Sequence, residues 1–236
     1  MLENLNLKNI LFLDIETVPQ YSTFEDVPAA FAELWEKKFG TLRKDPEESV
    51  NDSYHRAGIY AEFGKIICIS CGYFNADNIF RIKSFYGDDE KQLLSDFSVV
   101  LKKSFSTPDK FLCAHNGKEF DFPYLSRRII INQLPMPAIL DTAGKKPWEV
   151  SHLDTMELWK FGDYKSYTSL NLLALILGIP TPKDDIDGSR VWQVYWEEKN
   201  LERIVTYCQK DVLTVAQILR KFRCEPLIHF EEIEIV

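Results

Sequence analysis

Several features that would classify a chain at once are missing from this one. No stretch of its 236 residues is rich in Gly, Ser and Pro, so nothing marks a linker between domains. No internal repeat is visible, which excludes a solenoid or a propeller. The apolar runs are strand-sized, well short of the roughly 20 residues a membrane span needs. The start, Met-Leu-Glu-Asn-Leu-Asn-Leu-Lys, has neither the basic beginning nor the long apolar stretch of a secretory signal. These absences lead us to expect a single domain over residues 1–236, cytoplasmic, with no membrane partner. Positive charge is also scarce, with 28 Lys and Arg against 36 Asp and Glu and a net charge of −8. That balance disfavours tight, sequence-independent duplex binding more than it disfavours chemistry on a strand end, because bound divalent cations would offset it locally.

Cysteine is sparse and odd in number, at five, which fits a reduced compartment and small buried thiols. Cys68 and Cys71 imitate a C-x-x-C, but they lie in Lys-Ile-Ile-Cys-Ile-Ser-Cys-Gly-Tyr-Phe, which reads as a strand. Three residues apart on a strand, they point to opposite faces and cannot clasp one zinc. With 45% hydrophobic and 13% aromatic residues the chain can bury a full core.

The apolar pattern predicts a strand over 10–16, broken at Val18-Pro19-Gln20, and then a charged insertion at about 20–60. Within it, Phe31, Leu34 and Trp35 predict a helix near 28–39, and polar Thr41 to Asn51 is expected to be mobile. Strands over 64–74 and 78–86, joined by Asn-Ala-Asp-Asn, predict a hairpin. Helices follow near 88–105 and 120–132, the second stopped by Pro135 and Pro137, with a strand at 110–114 between them. A short strand near 151–154 precedes helical segments near 168–177, 191–198 and 200–222. Strands at the front and strand-helix alternation behind predict an α/β fold with a mixed central sheet, the first strand lying in its middle.

Three pieces carry chemistry. Ile-Leu-Phe-Leu-Asp-Ile-Glu at 10–16 places Asp14 and Glu16 on one face of a strand, about 6 to 7 Å apart. Two like charges at the tip of a buried strand are costly unless a cation sits between them, although a solvated strand end fits equally well. Ala114-His115-Asn116-Gly117-Lys118-Glu119-Phe120-Asp121 lies where a strand turns into a helix. Asp121 in that helix's first turn suits the dipole, with or without a further role. In Tyr207-Cys208-Gln209-Lys210-Asp211, Tyr207 and Asp211 share a face beside the apolar stripe of a long helix. Asp is a poor mid-helix residue, and a salt bridge to Lys210 or Arg203 is the plain alternative to a functional role.

Together and in this order, Asp14-Ile15-Glu16, His115 to Asp121 and Tyr207-x-x-x-Asp211 resemble the three motifs of the DEDD 3′-5′ exonuclease superfamily, in its tyrosine-bearing DEDDy branch. The chain is similar to the stand-alone bacterial exonucleases related to the proofreading domain of family B DNA polymerases. The resemblance implies a ribonuclease H-like fold, a five-stranded mixed sheet with an antiparallel hairpin flanked by helices. It implies a phosphodiester hydrolase that releases nucleotides from the 3′ end of nucleic acid, most readily single-stranded DNA, with proofreading or DNA repair as context and replication or repair proteins as partners. Asp14, Glu16, Asp121 and Asp211 are implied to hold two divalent ions, Mg2+ or Mn2+. Asp14 would bridge both, and Glu16 would share the water-side ion with Tyr207. A phenol is a poor base at neutral pH, so Tyr207 is expected to orient the attacking water. Thr17, Asn116 and Phe120 are expected to contact the substrate.

The competing reading is a non-catalytic nucleic-acid-binding module on the same fold. Asp154 is read as a helix cap. Arg127-Arg128 and Lys145-Lys146 are read as basic clusters that could track phosphates, and Tyr164, Lys165 and Tyr167 as a stacking surface.

Overall fold

In the computed structural model, which describes the chain except residues 1, 44, 46, 164 and 181–185, the first strand is the axis of the molecule. β1 (Ile10–Pro19) is longer than the sequence pattern predicts. The break expected at Val18-Pro19 is not one, because Pro19 ends the strand opposite Gly64, where a missing N–H costs little. The insertion folds as α1 (Ala29–Leu42), α2 (Val50–Ser53) and a 3-10 segment, Tyr54–Ile59. On α1 the buried residues are Trp35 and Phe39, while Phe31 and Leu34 face out. The polar stretch predicted to be mobile includes residues 44 and 46, outside the described residues.

The hairpin follows as β2 (Gly64–Phe74) and β3 (Phe80–Tyr86), and then α3 (Glu90–Ser104), β4 (Phe111–Ala114) and α4 (Asp121–Ile131). The chain continues through β5 (Leu153–Asp154), α5 (Thr155–Lys160), α6 (Leu170–Ile176), α7 (Val191–Trp196), α8 (Leu201–Phe222) and β6 (Ile233–Ile235). The sheet order is β5-β4-β1-β2-β3-β6. β2 lies antiparallel to both its neighbours, β1 and β3, whereas β4 lies parallel to β1 and β5 parallel to β4. This is the expected ribonuclease H-like arrangement with one strand more. β6 adds parallel to β3, and its three residues, Ile-Glu-Ile, are too few to announce a strand by alternation. No described helix is long and apolar enough to cross a membrane.

The strand period sorts β1 into two faces. Leu11, Leu13 and Ile15 enter one core with α3 and α4, including Leu94, Phe97 and Leu125. Ile10 and Phe12 pack on the other side against Val212, Val215, Ala216 and Leu219 of α8. Further along β1, Val18 meets Ile204 and the α7 residues Val191 and Val194. α8 therefore runs along β1 in the opposite sense. Between those two apolar contacts lie Asp14 and Glu16, on the α8 face.

Two polar networks brace the frame. Arg128, read from sequence as a candidate phosphate contact, is 4% exposed and holds Glu90 through Nε at 2.8 Å and Nη2 at 2.5 Å. Glu90 also accepts from the Ile66 N–H at 2.7 Å, and Arg128 donates to the Ala61 carbonyl at 2.8 Å, so this buried pair is satisfied and has no role at the surface. His152 ties β4 to the loop before β5. Its Nε2 lies 2.8 Å from the Ile139 carbonyl and its Nδ1 accepts from the Leu112 N–H at 3.3 Å.

Those two partners require a neutral ring protonated on Nε2, and burial holds the His152 pKa down at about 4 instead of 6.5. Below pH 6.5 the unfolded chain takes up a proton that the folded ring refuses. The stability His152 contributes is therefore complete above about pH 6.5 and is lost as pH falls toward 4, by roughly 3 kcal/mol in all. Urea unfolding across this range should show that slope, and His152→Phe should flatten it.

Candidate active site

Three elements converge on the acidic face of β1. Asp14 and Glu16 lie opposite Ser70 and Cys68 of β2. Immediately after them Thr17 is paired with Ile66, so Ile67 is the extra residue of a β-bulge. Such a bulge sharpens the local twist and re-aims the strand end. α8 supplies Tyr207, Cys208 and Asp211 at the level of the two acids because its flanking residues are already seated on Phe12 and Val18. α4 supplies Asp121 as its first residue, after a turn in which Asn116 takes a left-handed φ of 62°.

The electrostatics are one-sided. Asp14 and Glu16 are both held well above the ordinary carboxylate range, first by burial and then by the neighbouring acids, Asp121 and Asp211 among them. Every charged neighbour that acts on these two pushes in the same direction. Burial also lifts Asp121, to about 7, although its own N–H and that of Ile15 act against the rise. Tyr207 is pushed up by burial, by the carboxylates around it and by its hydrogen bond to Asp211, so its phenol keeps its proton. Among the described residues, the group that eases Asp14 is Cys208, whose thiol donates to Asp14 Oδ2 at 3.3 Å. Ligand atoms of Asp14, Glu16 and Cys208 lie within 4.8 Å of one another.

A cleft of about 480 Å³ opens over these groups, lined by Asp14, Glu16, Thr17, Phe120, Tyr207 and Asp211. The structure thus brings seven of the eight sequence-predicted site residues to one place, Asp121 through its interaction with Asp14 and Ile15. Asn116 is the exception. Its backbone N–H donates to Asp154 Oδ1 at 2.9 Å, and its turn directs it into a separate cavity of about 550 Å³ with Lys118, Phe122 and Lys145.

Asp154 caps α5, accepting from the Met156 and Glu157 N–H groups, and in addition takes the Asn116 and Lys118 N–H groups. It therefore anchors the turn that delivers Asp121. Of the aromatic group at 164–167, Tyr164 lies outside the described residues, and Tyr167 is exposed with Lys160 Nζ over its ring, 4.3 Å from the centroid. Sequence reasoning missed the second wall of the cleft, made by His55, Arg56, Gly58 and Ile59 with Trp192. It also missed Cys208, which reads as one more apolar residue of the α8 stripe.

A family of sequences described as predicted 3′-5′ exonucleases related to the exonuclease domain of PolB matches residues 59–224. The chain belongs to this family. The match takes in Asp121, Tyr207 and Asp211, and Asp14 and Glu16 precede it, joined to the other three by geometry. The chain is also similar to the structure of the family B DNA polymerase from the hyperthermophilic archaeon Pyrobaculum calidifontis, at 17% identity and a TM-score of 0.48. That likeness covers 89% of this chain and 24% of the polymerase, so the chain spans about a quarter of the polymerase's length. No curated protein matches.

Clustered, buried like charges store free energy in the metal-free protein. Asp14→Asn should raise its stability, because it removes one of the desolvated, mutually repelling carboxylates. Calorimetric melting without divalent cations checks this, and the same variant should lose most of any rise in Tm that Mn2+ gives the wild type.

Proposed function

We propose that the protein is a divalent-metal-dependent 3′-5′ exonuclease that acts on single-stranded DNA ends. The observation that carries this reading is the convergence of Asp14, Glu16, Asp121 and Asp211 at one end of the sheet, with thiol and phenol donors among them and, among the described residues, no countercharge that eases Asp14 or Glu16. The donor set fits hard divalent cations, since carboxylates and water suit Mg2+ and Mn2+. When bound between these four acids, two such ions supply an acidified water and neutralise charge on the oxygens of an in-line phosphoryl displacement.

The chain's own groups do the rest. The single S–H of Cys208 is shared between Asp14 Oδ2, at 3.3 Å, and the Asp14 backbone oxygen, at 3.5 Å, which helps to orient that carboxylate. The Ile15 N–H does the same for Asp121. Tyr207 remains protonated, so it orients a water or a phosphate oxygen by hydrogen bonding and does not remove a proton. Phe120, half-buried at the cleft and 5.3 Å from the Tyr124 ring centroid, offers a face to the terminal base. Thr17 lies beside the acids with its hydroxyl hydrogen-bonded to Tyr124. A cytoplasmic place in proofreading or repair, beside replication proteins, suits such an activity.

Digestion of end-labelled single- and double-stranded DNA and RNA, resolved by length, tests the reading in Mg2+ and in Mn2+. Shortening from the 3′ end that stops with EDTA is expected, fastest on single-stranded DNA. Asp14→Ala should abolish it, whereas Tyr207→Phe should leave measurable activity, on the order of the 10²-fold loss typical of a positioned proton-handling group. Metal-dependent binding of the strand without any shortening would favour the non-catalytic module instead.

A further inference from the structure

The described residues between 20 and 63 pack beside the sheet as a wall. Trp35, 1% exposed, packs edge-on to Tyr54 and Phe63 with ring centroids 5.9 and 5.3 Å away, so the segment has a core of its own. Its last turn docks backbone to backbone on β1: a Cβ on Gly58 would lie 3.0 Å from the Val18 Cα and carbonyl carbon. The Tyr124 hydroxyl then donates to the Gly58 carbonyl at 2.7 Å. The positions of His55 and Arg56 relative to Asp14, Glu16 and Thr17 follow from these contacts.

That wall carries the charge the cleft otherwise lacks. Among the described residues lining the cleft, Arg56 is the one Lys or Arg side chain, facing Asp14, Glu16 and Asp211. Its Nη2 donates to Glu48 Oε1 at 2.8 Å, and its side chain stays 37% exposed. A guanidinium is a fork of five N–H donors, so one carboxylate oxygen aims it without using it up. Beside it, His55 Nδ1 lies 2.7 Å from the Asp52 carbonyl, and its ring leans on Trp192 with centroids 5.5 Å apart at 31°. Two aromatic rings and a half-exposed guanidinium on one wall make the combination that holds a single strand, by stacking and by phosphate contact.

We propose that this wall is a strand-binding subsite, in which Arg56 contacts a backbone phosphate of single-stranded nucleic acid and the His55–Trp192 pair receives a base. The proposal rests on the exonuclease reading. It differs from it in assigning part of the substrate affinity to the insertion, outside the four acids. Glu48 is a positioning residue that keeps the guanidinium directed and itself touches no substrate.

Binding of a fluorescein-labelled single-stranded oligodeoxynucleotide of about a dozen nucleotides, its 3′ linkages made phosphorothioate to slow cleavage, tests this by anisotropy in Mg2+ over a range of salt. Arg56→Ala should weaken binding about tenfold at low salt and reduce the slope of log K against log[salt] by about 0.7, the loss of one phosphate contact on a single strand. Arg56→Lys should retain the slope. Glu48→Gln, which breaks the ion pair and keeps the guanidinium, should bind as tightly as the wild type. Wild-type affinity and slope in Arg56→Ala would overturn the proposal, as would equal weakening in Arg56→Ala and Glu48→Gln at an unchanged slope, since that pattern belongs to a wall that has lost its packing. Either result in a protein that still digests DNA leaves the exonuclease reading standing. A wild type that neither binds nor digests any strand overturns both.

Discussion

Four carboxylates gathered in and around a buried strand end repel one another and lose their water, and the remainder of the fold is arranged to pay that cost. The penalty is visible in Asp14 and Glu16, both held far above the usual carboxylate range, and in Asp121, raised to about 7. An isolated strand could not keep such groups together, because bending the strand end away would relieve the repulsion. β1 cannot bend away. It is flanked by β2 and β4 and packed on both faces, with Leu13 and Ile15 locked in one core and Phe12 and Val18 in two clusters on the α8 side. Close packing makes such an interior stiff, and stiffness is what holds a costly constellation in place.

The two apolar contacts of α8 act as a ruler. Its C-terminal half is seated on Ile10 and Phe12, and its N-terminal part on Val18 and Ile67, so the residues between those contacts have one position open to them. Tyr207, Cys208 and Asp211 occupy it. The same logic operates on the other side, where Asp154 gathers the Asn116 and Lys118 N–H groups and so fixes the turn that begins α4 at Asp121. Sequence-distant acids meet because each is one residue in an element whose register is set by apolar neighbours.

This explains which parts were legible in the sequence. A period of two places Asp14 with Glu16, and a period of 3.6 places Tyr207 with Asp211, so local geometry was readable from spacing alone. The motif order then suggested that the pairs meet. What spacing does not encode is the far side of a residue. Cys208 falls in an apolar stripe and reads as core, though its thiol bonds to Asp14. Arg128 follows Arg127 and reads as surface charge, though it is buried on Glu90. Asn116 stands in the second motif and reads as a substrate contact, though a left-handed turn directs it to another cavity. The wall at 54–59 was illegible for a stronger reason: its place depends on the Trp35 cluster and on the close approach of Gly58 to Val18, contacts that leave no periodic trace.

The choice of neutral donors around the acids is itself informative. A lysine in place of Cys208 would neutralise Asp14, and the cluster would become a satisfied internal ion pair like Glu90 with Arg128. The thiol and the Tyr207 phenol orient the carboxylates by hydrogen bonds and leave their charge uncancelled. The one described guanidinium at the cleft stands on the wall, held by a carboxylate of its own, Glu48. That separation lets countercharge arrive from outside while the frame is already built. On the proposed metal-dependent reading, a site organised in this way is costly when empty and would gain most from bound cations, which would tie the strength of ion binding to the stiffness of the sheet beneath.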